Sequence, residues 1–166
     1  MATIITLEKQ GVLQRYDAVL GSRELETRRF YGSTRLVKWI GEELPQLGSS
    51  GNIEVSPAEQ LDELLRKYVS GSVLTYRHSF YPLTPLKDSV WELKTADLRV
   101  FGWFHAVDCF IGFAADTAQR VKDHKLYSGY LGEVVRFRKS LALDQPKSIK
   151  GKEPKDVVSN FAYPNT

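Results

Sequence analysis

The hydrophobic pattern of this chain changes its period at Gly71, and that change constrains the fold more than any other feature of the sequence. Before it, residues 57–70 carry apolar side chains three or four positions apart, which is the spacing of one helix face. After it, residues 73–80 alternate in the two-residue period of a strand. Ser56 and Glu59 are typical of a capping box at a helix start, and glycine is typical of a helix end. The sequence therefore predicts a helix over 57–70 followed directly by a sheet.

One more helix precedes this segment, and three more strand-like runs follow it. Apolar residues recur at helical spacing over 22–44, and Pro45 ends the pattern because its ring cannot continue a helix. Strand-like runs cover 90–94, 98–104 and 108–114, and the short loops between them favour antiparallel hairpins. We therefore expect an α+β fold, with two N-terminal helices packed on a small four-stranded antiparallel sheet and a helical or irregular basic C-terminal extension.

The chain length of 166 residues fits one domain with a sizeable core, so we expect a single domain over 1–166. Within it, the pattern divides into an N-terminal helical segment at 1–50, a helix-and-sheet core at 56–115 and the extension at 116–166. The composition of 48–52 is typical of a flexible linker.

The charge of the chain is unevenly distributed. Residues 119–156 hold ten basic and five acidic residues, a net charge of +5, whereas residues 1–118 hold thirteen basic and fifteen acidic residues, a net charge of −2. A positive region on a nearly neutral body often binds phosphate, and the alternative is a solvated tail that lysines keep soluble.

Several classes of protein are excluded by what the sequence lacks. The single cysteine, Cys109, allows no intramolecular disulfide, which suits a reducing cytoplasm. No apolar run approaches the length of a membrane span, and the N-terminus lacks the pattern of a signal peptide. The three histidines are too scattered for a metal motif. We therefore expect a cytoplasmic protein with no metal, no cofactor and no membrane partner.

Three short segments follow one another in the sheet region: LKD at 86–88, WELK at 91–94 and LRVF at 98–101. Together they resemble the RelE/HigB toxin superfamily, in particular its phage-related branch, over residues 56–115. The resemblance implies two N-terminal helices packed on a small antiparallel sheet. It also implies a metal-independent messenger-RNA interferase that acts on RNA, often on the ribosome, and that a small antitoxin protein neutralises.

Cleavage of RNA by its own 2′-hydroxyl needs a cation near the phosphate, a base for the hydroxyl proton and an acid for the leaving oxygen. The resemblance gives the cation role to Arg99, on an open sheet face. His124 and Tyr127, after the last strand, can serve as acid or base. The candidate RNA-binding residues share a positive charge: Arg77, Lys87, Lys94, Arg120, Lys122, Lys125, Arg136 and Arg138. Three aromatic residues either stack on bases or form the sheet core: Trp91, Phe101 and Trp103.

Two features depart from the family pattern. Glu92 occupies a strand position where members often present a basic residue, and some 50 residues follow the last predicted strand. An alternative function is therefore a non-catalytic phage or prophage accessory protein of the same fold that binds nucleic acid or protein. A purely structural interaction domain is the third class.

Overall fold

A mixed sheet is the centre of the computed structural model, which describes residues 1–49, 51 and 54–165. The eight described strands are β1 (Leu13–Arg15), β2 (Arg29–Ser33), β3 (Leu74–Thr75), β4 (Phe80–Pro82), β5 (Trp91–Lys94), β6 (Leu98–Ala106), β7 (Cys109–Thr117) and β8 (Phe161–Ala162). The six described α-helices are α1 (Ile4–Lys9), α2 (Thr34–Glu42), α3 (Pro57–Ser70), α4 (Ala118–Asp123), α5 (Tyr127–Ser140) and α6 (Pro154–Val157). Short 3-10 helices lie at Leu44–Gln46 and Leu86–Asp88.

Six strands form the main sheet in the order β1-β2-β7-β6-β5-β4. All neighbours are antiparallel except β2 and β7, which run parallel. The prediction of two N-terminal helices on a four-stranded antiparallel sheet is therefore wrong, although the fold is α+β. Strands β5, β6 and β7 do form the antiparallel meander that the sequence pattern indicates. The error lies in the N-terminal region, which adds two strands beside β7.

The predicted helix over 22–44 is replaced by a strand and a shorter helix. Phe30 and Tyr31 are buried in β2, which pairs with β7. The chain then turns at Ser33, whose Oγ accepts a hydrogen bond from the backbone N–H of Leu36 and caps α2. Pairing with a strand about 80 residues later overrides the local helical pattern, because propensity is a weak prior against tertiary contacts. The predicted linker at 48–52 lies partly outside the described residues.

The helix predicted over 57–70 is confirmed. Ser56 caps its first turn through a hydrogen bond from the backbone N–H of Glu59, and Gly71 ends it with a φ of 80°. The strand predicted over 73–80 is instead divided between β3 and β4, with a turn between them. Strand β3 leaves the main sheet and pairs in parallel with β8 of the C-terminal extension.

Helices cover both faces of the main sheet. On one face, α2 and α3 pack against a buried cluster that includes Phe30, Leu65, Trp91 and Phe110. On the other face, α1 and α5 pack against a second cluster, which includes Tyr31, Phe101, Trp103, Ile111 and Val134. Trp91, Phe101 and Trp103 are fully buried. Of their two sequence interpretations, the sheet core is confirmed, and base stacking by these three residues is wrong.

Arg28 joins the C-terminal extension to this framework. Its fully buried guanidinium donates hydrogen bonds to the backbone carbonyls of Tyr68, Ser72 and Asn160 at 2.9–3.0 Å. Its Nε also lies 3.3 Å from the carboxylate of Asp108. Residues 116–165 are therefore packed into the fold through α4, α5, α6 and β8. None of the described helices has the length and apolar character that crossing a membrane requires.

Candidate functional site

A group of charged side chains lies between the sheet and the helices α4 and α5. Because side chains alternate along a strand, Trp91 and Leu93 of β5 face the α3 core, and Glu92 and Lys94 face the opposite side. Lys94 stands directly opposite Arg99 of β6 in the strand register. Tyr127, the first residue of α5, and Lys122 of α4 complete the group. We call these five residues, Glu92, Lys94, Arg99, Lys122 and Tyr127, the Arg99 cluster.

Arg99 is buried, with 6% of its surface exposed. Its Nη1 donates hydrogen bonds to the backbone carbonyls of Thr95, at 2.7 Å, and Leu98, at 2.8 Å. Its Nε has no hydrogen-bond partner among the described residues. The expectation that Arg99 lies on an open sheet face is therefore wrong, because α4 and α5 cover that face. The guanidinium therefore holds one buried donor that no described residue accepts from.

Glu92 is the only carboxylate in the Arg99 cluster and is 3% exposed. Its Oε1 lies 3.9 Å from the Nζ of Lys94, and its Oε2 has no hydrogen-bond partner among the described residues. Burial raises the pKa of Glu92, and the nearby positive charges of Lys94 and Arg99 oppose that shift. Burial likewise lowers the pKa of Lys94, against the attraction of Glu92. Burial therefore shifts the pKa of each side chain in the direction that favours its neutral form.

Tyr127 brings a phenol to the same place. Its ring packs edge-on against Phe101, with 5.9 Å between the ring centroids. Burial raises the pKa of Tyr127, the negative charge of Glu92 adds to the rise, and interaction with Arg99 opposes it. The phenol therefore stays protonated at neutral pH, close to the one carboxylate and the buried guanidinium.

The charges of the Arg99 cluster do not balance. Within these five residues, three cations, Lys94, Arg99 and Lys122, accompany the single carboxylate of Glu92. Lys122 is exposed to solvent and Asp116 lies opposite Arg99 in the sheet, so the charge that stays buried is that of Arg99, whose Nε has no hydrogen-bond partner among the described residues. The arrangement is suited to an anion such as a phosphate, which accepts hydrogen bonds from several cations at once.

A neighbouring acidic group is, by contrast, fully paired. The carboxylate of Asp116 lies opposite Arg99 in the sheet register. It accepts hydrogen bonds from the hydroxyl of Tyr130 at 2.7 Å, the Nε of Arg120 at 3.1 Å and the backbone N–H of Thr117 at 2.8 Å. Burial raises the pKa of Tyr130, and its bond to Asp116 adds to the rise. The positive charge of Arg120 is therefore paired with Asp116 and does not belong to the Arg99 cluster.

A cleft of about 680 Å³ opens beside Asp116, between α2 and the helices α4 and α5. Its charged lining is balanced, with three cations and three carboxylates: Arg35, Lys38, Arg120, Glu42, Glu43 and Asp116. The cleft has the volume of a small-molecule site. It offers no net charge to a phosphate, which distinguishes it from the Arg99 cluster.

The sequence candidates divide between this cluster and the rest of the surface. Arg99, Tyr127, Lys94 and Lys122 are brought together. His124 is exposed, and no contact among the described residues links its ring to Arg99 or Tyr127. The structure places the remaining candidates elsewhere.

Arg138 is engaged by the fold, since its guanidinium donates to the backbone carbonyls of Asp88 and Ser89 and lies over the ring of Trp103. Four other candidates are exposed and lie on separate parts of the surface: Arg77, Lys87, Lys125 and Arg136.

Sequence reasoning missed the role of Glu92 in this group. The two-residue period of β5 places Glu92 and Lys94 on one face, and that signal was available in the sequence. Sequence reasoning also missed a group of three tyrosines, Tyr76, Tyr81 and Tyr163, of which the first two lie against Arg77. Tyr76 precedes β4, Tyr81 lies within it and Tyr163 is near the C-terminus, so only the fold brings them together.

Within the described residues, no group of three or more histidine, cysteine, aspartate or glutamate side chains is arranged to hold a metal ion. In comparisons with known proteins, no family model, curated protein or solved structure matches this chain.

Proposed function

We propose that this chain is a metal-independent endoribonuclease whose active centre is the Arg99 cluster. The observation that carries the proposal is the grouping of three cations with one carboxylate and one phenol, together with an unpartnered donor on the buried Arg99. The resemblance of the segments at 91–94 and 98–101 to the RelE/HigB toxins supports the same reaction. An antitoxin partner, action on the ribosome and a cytoplasmic location belong to this proposal.

The cluster contains each group that the reaction needs. The carboxylate of Glu92, with its raised pKa, takes the proton of the 2′-hydroxyl, and the 2′-oxygen attacks the phosphorus. The phenol of Tyr127 gives its proton to the 5′-oxygen as the phosphorus–oxygen bond breaks. The products are a 2′,3′-cyclic phosphate and a 5′-hydroxyl. Arg99, Lys94 and Lys122 stabilise the negative charge that the pentavalent phosphate develops.

The test is cleavage of a labelled single-stranded RNA by the purified chain in the presence of EDTA. Tyr127→Phe keeps the ring that packs on Phe101 and removes the acid, so we expect cleavage to fall by about 10²–10³-fold. The matched control is Tyr130→Phe on the same helix, which removes a hydroxyl that is already hydrogen-bonded to Asp116. Equal cleavage by wild type and Tyr127→Phe would contradict the assignment, and equal losses in both variants would indicate damaged packing.

A second candidate function is RNA binding without cleavage, by a non-catalytic relative of the same proteins. The observation in its favour is the burial of Glu92 and Arg99, which leaves Lys122, Lys94 and Tyr127 as the residues of the Arg99 cluster that contact solvent. Inducing the chain in a bacterium separates the two functions. An endoribonuclease arrests growth and fragments messenger RNA, whereas a binding protein leaves the RNA intact.

A further inference from the structure

Three tyrosines and an arginine form a patch at the outer edge of the main sheet, beside the edge strand β4. The ring centroid of Tyr76 lies 5.3 Å from that of Tyr81 and 5.8 Å from that of Tyr163. The guanidinium of Arg77 lies 6.0 Å from the Tyr76 ring centroid and 5.9 Å from that of Tyr81. Tyr81 is 36% exposed, Tyr163 is 61% exposed, and Arg77 is exposed as well. We call these four residues the tyrosine patch.

The tyrosine patch is held in place from below. Tyr76 packs edge-on against the fully buried Phe80, with 5.5 Å between centroids, and Phe161 packs in the same way against Tyr163 at 5.6 Å. The pairing of β8 with β3 fixes Phe161, and thereby the tail, at this edge. Exposed aromatic rings on a rigid base lose little conformational entropy when another flat group stacks on them.

Arg77 is held in this patch by a turn in which its own backbone adopts an unfavourable conformation. Its φ is +75°, a left-handed conformation that is unfavourable for a residue with a long side chain. The backbone N–H of Arg77 donates to the carbonyl of Phe80 at 2.9 Å, which holds the turn. The turn directs a cation over two tyrosine rings, where the attraction between cation and ring stabilises it.

The position of the patch connects it to the Arg99 cluster. Tyr81 lies directly opposite Glu92 in the pairing of β4 with β5, and directly opposed residues project from the same face with their Cβ atoms about 5 Å apart. The strand pairing therefore places Tyr81 on the sheet face that carries Glu92 and Lys94, next to the Arg99 cluster.

We propose that the tyrosine patch binds an unpaired base of single-stranded RNA by stacking, and that Arg77 binds the adjoining phosphate. This proposal rests on the endoribonuclease function, because it assigns to that centre a subsite for a base beside the cleaved bond. Aromatic rings and arginine planes are the groups on which proteins stack splayed-out bases. A duplex hides its bases within the helix, so the patch selects single strands.

The test is the affinity for a fluorescent single-stranded oligonucleotide in which every 2′-hydroxyl is methylated, which prevents cleavage and isolates binding. Tyr81→Leu should weaken binding by about 5- to 100-fold, the range for losing one base stack, and Tyr81→Phe should keep it. Tyr16→Leu is the matched control, because Tyr16 follows β1 at the opposite edge of the sheet. Thermal melts of each variant check that the fold is retained.

Two results would contradict the proposed RNA-binding role of the tyrosine patch. One is equal affinity of wild type and Tyr81→Leu, and the other is no measurable RNA affinity of the wild type at low salt. The second result would favour a protein partner for the patch. Failure of the endoribonuclease proposal gives a different result, in which affinity depends on Tyr81 but unmodified RNA is bound and left intact. If the protein cleaves unmodified RNA and Tyr81→Leu binds with wild-type affinity, the endoribonuclease proposal is retained and the base-binding role of the tyrosine patch is rejected.

Discussion

Replacing Arg99 with methionine should cost both stability and activity, and the structure gives the size of the first effect. Methionine fills most of the space but removes the Arg99 donor from the carbonyls of Thr95 and Leu98, of which that of Leu98 keeps the backbone N–H of Thr95. Hydrogen bonds to a charged group contribute about 1.5–3 kcal/mol each. Both bonds share the single nitrogen Nη1, so we expect Arg99→Met to lower the free energy of unfolding by about 3 kcal/mol. A change of 1 kcal/mol lowers the Tm of a chain of this size by about 2–4 °C, so the expected decrease is about 6–12 °C.

The assay combines thermal and urea unfolding with cleavage measured well below the Tm of the variant. Arg99→Lys keeps the charge without the planar fork, so it should restore part of the stability and little of the cleavage. Loss of the charge should slow cleavage by about 10²–10³-fold in the population that remains folded. An Arg99→Met variant that melts with the wild type would refute the stability argument. One that is folded and cleaves RNA at the wild-type rate would refute the catalytic assignment.

Two further substitutions test the sheet and its carboxylate. The folded-state pKa of Glu92 is raised, so its contribution to stability is full below the unfolded pKa, about 4.3, and is lost as the pH rises through the folded value. Glu92→Gln should therefore melt above the wild type at pH 7 and lose this advantage near pH 4, while cleavage is abolished; a lower Tm at pH 7 would contradict the pKa direction. A Cβ on Gly102 would lie 1.9 Å from the carbonyl oxygen of Ile111, so Gly102→Ala should destabilise the fold by about 2–3 kcal/mol in urea unfolding. Gly129→Ala in α5 meets no atom within 4 Å and is its control, expected to be neutral or stabilising.

Local signals decided how much of the fold the sequence could predict. Helix α3 carries its cap, its apolar face and its terminating glycine within sixteen residues, so nothing distant is needed to identify it. Strands β5, β6 and β7 follow one another with short loops and show in the alternation of apolar residues. Strand β2 pairs with β7, which is distant in the sequence. The adjacent aromatic residues of β2, Phe30 and Tyr31, also fit the apolar face of a helix. Parallel pairing between strands about 80 residues apart produces no periodic pattern in the local sequence that would predict it.

The sequence predicted several residues of the candidate site, but it did not predict where in the fold they come together or that they are buried. Arg99 and Tyr127 were named for the chemistry that each can perform, and α5 folds back over β6 to bring them together. The burial of Arg99 depends on that same helix, which the sequence pattern indicated only weakly. Glu92 counted against the function in a sequence comparison because a basic residue was expected there. In the proposed mechanism it is the base for the 2′-hydroxyl, and Lys94 and Lys122 are the cations near it.

The covering of this sheet face by α5 explains why one group of residues affects both fold and chemistry. By excluding water, the helix raises the pKa of Glu92 and of Tyr127 together, which makes the carboxylate a stronger base and keeps the phenol protonated. The same exclusion leaves the Nε of Arg99 without a hydrogen-bond partner among the described residues, although the bonds from its Nη1 to the carbonyls of Thr95 and Leu98 stabilise the fold. In the proposed reaction, a phosphate oxygen is the acceptor that this guanidinium lacks, so Arg99 serves the fold through Nη1 and the substrate through its charge.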